Sequence, residues 1–136
     1  MSNFRLERIQ KIRERLGKTD MDAFWALAGE NRYYLSGFRG EDTQFDESAG
    51  VLFITADRCI LATDSRFELQ AKAEAPDFEI FCYKKSLAES ISEIFSDLNA
   101  QKVGFESVRM SVAQFDKIAQ RLKEDGLSVE MIATQG

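Results

Sequence analysis

A chain of 136 residues has room for one domain and not two, and folding at this size buries about two-thirds of the unfolded chain's surface, enough for one core. The composition (44% hydrophobic, 30% charged, one proline) is that of an ordinary globular domain. No apolar run approaches the roughly 20 residues that span a bilayer, and charge appears too early in the chain for a secretory signal. The net charge of −5 divides into +4 over residues 1–18 and −9 over the remainder, so a basic, solvated helix face precedes an acidic body that argues against a wide phosphate-binding surface.

In chain order, residues 4–16 place Leu6, Ile9, Ile12 and Leu16 at the spacing of an amphipathic helix, with Gly17 as its expected stop. The apolar run 23–28 predicts a buried strand of a parallel sheet. Gly29 and Glu30 break it, Asn31 is placed to cap a short helix over 32–36, and Gly37 offers the left-handed backbone of a C-terminal stop. A polar loop over 38–50 follows, carrying Phe38 and Phe45. Loops of that length inside a domain either have a job or are disordered.

The apolar runs 51–55 and 59–63 predict a β-hairpin, and with it at least one antiparallel strand. Ser65 with Glu68 has the form of a capping box opening a helix to residue 75, before Pro76. A strand is expected at 78–83. Ser86 with Glu89 forms a second capping box, and the helix it opens lines up Leu87, Ile91, Ile94, Phe95 and Leu98. A short strand at 102–106 precedes a helix capped by Ser111 and Gln114, with Val112, Phe115, Ala119 and Leu122 as its stripe and Gly126 as its stop. A strand at 127–132 is the last. The alternation predicts an α/β fold in three layers, α/β/α: a mixed sheet of about six strands with one β-hairpin and helices on both faces.

The chain contains no histidine, which excludes Ser-His and Cys-His catalysis and imidazole-containing zinc sites. Cys59 and Cys82 lie in apolar, strand-like runs without metal-clip spacing and read as reduced, buried thiols of a cytoplasmic protein. Glu41, Asp42, Asp46 and Glu47 fit no EF-hand and read as a solvated acidic loop. Asp64 ends a strand ahead of a helix, a place where α/β proteins put functional carboxylates; its expected role is a cap or an arginine pair holding that corner, with Arg58 and Arg66 close in sequence. Tyr34 and Leu35 are expected in the core. Phe38 stands between burial and contact with a partner, and Arg39 between a carboxylate partner and solvent.

Asn31, Tyr34-Leu35 and Gly37-Phe38 resemble the N-x-x-Y-L-[ST]-G-F signature of the N-terminal domain found in creatinases, prolidases and Xaa-Pro aminopeptidases. Thr63-Asp64, Arg66-Phe67 and Gln70-Ala71 resemble its second signature, T-D-x-R-[YF]-x-x-Q-A, and Gly104-Phe105-Glu106 resembles a third at a strand end. The resemblance covers nearly the whole chain. It implies a ribonuclease H-like architecture and a single, non-catalytic domain over 1–136 that binds no cofactor, with a catalytic pita-bread domain expected to follow residue 136 in the parent chain. In that family two divalent metal ions (Mn, Co or Zn), held by two aspartates, a histidine and two glutamates of the following domain, activate water to cut an Xaa-Pro peptide.

The resemblance further implies a homodimer in which the loop after Y-L-S-G-F reaches the partner's pocket and narrows it to the peptide's N-terminal end, by orientation and exclusion of water. Phe38, Arg39, Phe45 and Arg66 are then the pocket or dimer-contact candidates, and Asn31, Tyr34, Leu35, Gly37 and Asp64 the structural positions. Two other readings stand beside it. One is a peptidase-like module that binds protein partners without catalysis. The other is a nuclease, which needs Asp64 and Glu106 to converge on magnesium and is disfavoured by the acidic body.

Overall fold

The computed structural model describes residues 2–40 and 50–134. Strands β1 (Ala23–Ala26), β2 (Gly50–Thr55), β3 (Cys59–Thr63), β4 (Glu79–Cys82), β5 (Lys102–Glu106) and β6 (Glu130–Thr134) form one sheet in the order β4-β3-β2-β1-β5-β6. Of these six, β2 runs against both its neighbours, while β3–β4, β1–β5 and β5–β6 pair in parallel. The reversal is the expected hairpin: Arg58 N–H donates to Thr55 Oγ1 at 3.0 Å and Thr55 N–H returns to Arg58 O at 2.9 Å, closing the turn. The other five strands therefore end at one edge of the sheet.

Side-chain alternation along these strands fills two cores. Trp25, Val51, Phe53, Ile60, Ala62, Val103 and Phe105 face helices α4 (Leu87–Leu98) and α5 (Val112–Glu124), whose Ile91, Ile94, Phe95, Ile118 and Leu122 cover them. Ala26, Leu52, Ile54, Cys59 and Leu61 point the other way, under α1 (Ser2–Lys18), α2 (Gly29–Ser36) and α3 (Glu68–Glu74), through Ile9, Leu35, Ala71 and Ala75. The result is the three-layer α/β/α arrangement, with a sheet buried on both faces. Among the described residues no helix is long and apolar enough to cross a membrane.

Several local expectations change. Helix α1 continues through Gly17 to Lys18, because a glycine in helical backbone is tolerated when nothing forces a turn. Helix α2 begins at Gly29 with Ala28 as its N-cap, so Asn31 lies inside it and caps nothing. Ser65 does not open α3: that helix starts at Glu68 without a side-chain cap, since the preceding residues turn around the Asp64 carboxylate. On α5 the reciprocal Ser111–Gln114 capping box is present, but Val112 is exposed and the buried stripe runs through Ile118 and Leu122. Residues 127–129 stay outside β6, with Leu127 N–H bonded to Leu122 O as the helix closes. Tyr34 is half exposed on the outer face of α2, while Leu35 is buried.

Gly37 and Gly17 separate two uses of glycine. Gly37 caps α2 at φ 87°, and a Cβ there would stand 2.7 Å from Arg5 Cζ and 2.9 Å from Glu74 O; around Gly17 there is nothing within 4 Å. Gly37→Ala should lower stability by about 1–3 kcal/mol in urea denaturation. Gly17→Ala should raise it by about 0.5 kcal/mol. A Gly37→Ala variant as stable as the parent chain would remove the left-handed cap from this account.

Candidate functional site

The carboxyl ends of the parallel strands gather the signature residues at one edge of the sheet. At the end of β5, Glu106 is buried at 2% exposure and its carboxylate takes three N–H groups. Oε1 accepts from Leu27 N–H and, at 2.7 Å, from Ala28 N–H; Oε2 accepts from the Asn31 carboxamide. Ala28 itself offers no capping oxygen, so the negative charge of Glu106 stands at the start of α2, where the helix dipole favours it. Asn31 is thus a tether from α2 to β5.

Phe38 is a core residue. Its ring is 1% exposed, packs with Ile9, Leu35 and Leu61, and meets Phe67 edge-on at 6.1 Å. Of burial and partner contact, the two roles expected for its side chain, burial is the one seen within this chain. Arg39, one residue on, is exposed, with its guanidinium 5.5 Å from the Tyr33 ring centroid, and its backbone N–H donates to Glu74 Oε1 at 2.7 Å. Phe45 and the acidic loop residues Glu41, Asp42, Asp46 and Glu47 lie outside the described residues.

Asp64 and Arg66 form a local pair at the end of β3. Asp64 Oδ1 accepts Arg66 N–H at 2.9 Å, and the two side chains bridge at 2.7 Å. Side-chain hydrogen bonding from Arg66 holds the Asp64 carboxyl below the usual aspartate range, against a smaller opposing effect of burial. Next to this pair the Tyr83 phenol is pushed up to about 12, first by burial and then by the Asp64 charge. Arg58 takes no part here: it sits at the hairpin turn, bonded to Glu79 and Asp97.

Arg32 is the residue the sequence reading passed over. It is 2% exposed, and Nη1 and Nη2 donate to the carbonyls of Gly50 and Gly40 at 2.8 and 2.6 Å. Its spacing of three and four from Leu35 and Ser36, both buried, is the signal that placed it on the inner face.

These groups suit a scaffold better than a metal site. The carboxylates of Glu106 and Asp64 are taken up by backbone, carboxamide and guanidinium donors, and no group of three or more metal-ligating side chains occurs among the described residues. Glu106 on β5 and Asp64 after β3 are separated by β1 and β2, about 14 Å at the usual strand spacing. They cannot share one magnesium ion, and those two are the strand-end carboxylates the nuclease reading needs to converge.

The family model described as the Creatinase/Prolidase N-terminal domain matches residues 8–133. The chain is similar to the uncharacterized peptidase YqhT of Bacillus subtilis (strain 168), 27% identical over 108 residues that make up 79% of this chain and 29% of that protein. It is 32% identical over 104 residues to Xaa-Pro aminopeptidase 1 of Dictyostelium discoideum, across 74% of this chain and 16% of that one. Both relatives are therefore much longer. Among solved structures, the N-terminal domain of the cytoplasmic peptidase PepQ from Mycobacterium tuberculosis H37Rv superposes with a TM-score of 0.79 at 29% identity, covering 96% of this chain and 94% of that domain.

The lowered Asp64 value has a consequence for stability. The Arg66 pair contributes fully above the ordinary aspartate value near 4 and is lost as pH falls through the lower folded value. Asp64→Asn should therefore be less stable than the parent chain at pH 6, with the gap closing as pH is taken down through the lowered Asp64 value. Urea midpoints at the two pH values measure this, and a gap that stayed constant would show that the charge pair contributes nothing.

Proposed function

The chain belongs to the creatinase/prolidase N-terminal domain family, and from that premise we propose that it is the non-catalytic N-terminal domain of an Xaa-Pro aminopeptidase- or prolidase-like metallopeptidase. The observation that carries this reading is the family match over residues 8–133 together with relatives, both described as peptidases, that run several times longer than the match. In this reading two divalent metal ions are held by residues of a following domain, where they activate the water that attacks the peptide. The present domain joins a homodimer and closes the partner's pocket around the peptide's N-terminal end. It orients the substrate and excludes water, without making or breaking a bond. A cytoplasmic location agrees with two free cysteines and with the description of PepQ.

Arg39 is the described contact candidate beside the 41–49 segment with a side chain free of the core. Arg39→Ala keeps the backbone bond to Glu74 and removes the side chain beyond Cβ, guanidinium included. In the complete peptidase it should reduce kcat/KM by an amount worth about 1–3 kcal/mol with the melting temperature nearly unchanged. Phe38→Ala should instead cost about 3–5 kcal/mol of stability, because it empties a fully buried ring site. Normal kinetics for Arg39→Ala would exclude that side chain from the substrate's surroundings.

The 136-residue chain alone should not release the first residue of an Xaa-Pro peptide when manganese, cobalt or zinc is added. The physical reason is that metal-bound hydroxide needs a converging ligand set, and the Glu106 and Asp64 carboxylates are already bonded elsewhere. Metal-dependent release that co-purifies with the chain through successive columns would overturn the assignment.

A further inference from the structure

Arg32 joins two points of the chain that flank one segment. Gly40, which leaves the α2 region, and Gly50, which opens β2, both accept from the same guanidinium, and residues 41–49 lie between them. The group is set in a rigid surround. Helix α2 is tied to β5 through Glu106 and closed by Gly37, and Ser36 Oγ donates to Arg32 O at 2.6 Å while accepting Phe38 N–H at 3.1 Å. Gly50 has no slack: a Cβ there would lie 3.0 Å from Ala62 O and 3.3 Å from Phe38 Cε2. The Phe38 ring centroid is 5.6 Å from Arg32 Cζ, so the same side chain that fills the core beneath the two ends also faces the group that joins them. A guanidinium presents its N–H groups in a fixed planar fork, so it sets two carbonyls in direction as well as distance, which an ammonium on a flexible stem does not.

We propose that Arg32 is a positioning residue: it holds Gly40 and Gly50, the two points of the chain on either side of residues 41–49, to helix α2, so that where the chain leaves the helix and where it re-enters the sheet are set together. The consequence for a peptide pocket rests on the function proposed above; the clasp itself does not. Arg32→Met keeps the bulk of the side chain and removes the donors. By amide hydrogen exchange on the 136-residue chain, residues 37–40 and 50–52 should exchange at least about tenfold faster in this variant, while Val103 and Phe105 of β5 change less than about twofold. Arg32→Lys, with charge but no fork, should fall between the two. If the methionine variant does not fold, the lysine variant carries the comparison, again with acceleration at the two ends and none on β5.

Unchanged exchange at residues 37–40 and 50–52 would overturn the clasp, as would acceleration of β5 in the same proportion. A second arm separates the clasp from the function it serves. In the complete peptidase, Arg32→Lys should raise KM for an Xaa-Pro peptide by several-fold with kcat held, which a loss of folded protein cannot do. Faster exchange at the ends with unaltered KM would keep the clasp and overturn the pocket role of the segment.

Discussion

The buried carboxylate of Glu106 is the tie on which the site's geometry depends. It takes backbone N–H groups from Leu27 and Ala28 and the carboxamide of Asn31, residues almost eighty positions earlier in the chain. Hydrogen bonds to a charged group are worth about 1.5–3 kcal/mol each, and a buried carboxylate without them would be costly. One side chain thus fixes the end of β1, the start of α2 and the end of β5 together. It also supplies what Ala28 lacks, an oxygen at the helix N-terminus. From that fixed start the eight residues of α2 deliver Gly37 to its left-handed cap, and the cap in turn aims Phe38 into the core.

The reversed strand does the second part of the work. Because β2 runs against β1 and β3, its first residue, Gly50, lies at the edge where the parallel strands end. A parallel β2 would start at the opposite edge, about 17 Å away for a strand of this length. Antiparallel pairing is therefore what lets the chain leave α2, pass through residues 41–49 and re-enter the sheet beside its point of departure. Arg32 reaches both sides only under that topology. The same pairing puts Asp64 on the far side of β2 and β1 from Glu106, which is why two strand-end carboxylates that look alike in sequence share no site.

Much of this was legible in the sequence because the signals were local. Short apolar runs located all six strands, the Ser86 and Ser111 caps marked two helix starts, and Gly37 marked a stop that only a positive φ could make. Long-range competition produced the misses. Asn31 has the chemistry of a cap, but Glu106, brought close only by parallel pairing of β1 and β5, takes its side chain. Ser65 has the spacing of a capping box, but the Asp64–Arg66 turn claims the backbone first. Tyr34 reads as core on hydrophobicity, yet Arg8 from α1 covers its ring at 3.8 Å and leaves it at the surface. The side chain of Arg32 gave no local signal of its own, because charge usually means exposure and the two carbonyls that accept from it come from positions 40 and 50.

The three signatures, distant in sequence, are one structural unit. Asn31 of the first meets Glu106 of the third; Phe38 of the first meets Phe67 of the second; Gln70 of the second bonds Glu74, whose carboxylate accepts the backbone N–H of Arg39, the residue after the first. Asp64 and Arg66 close on each other beside Phe67. Polar groups bonded to one another in this way brace the three signatures against each other. Together these residues hold an edge of the sheet still. What that edge holds in place is the chain on either side of residues 41–49, with Phe38 turned inward as its footing and Arg39 turned outward at its margin.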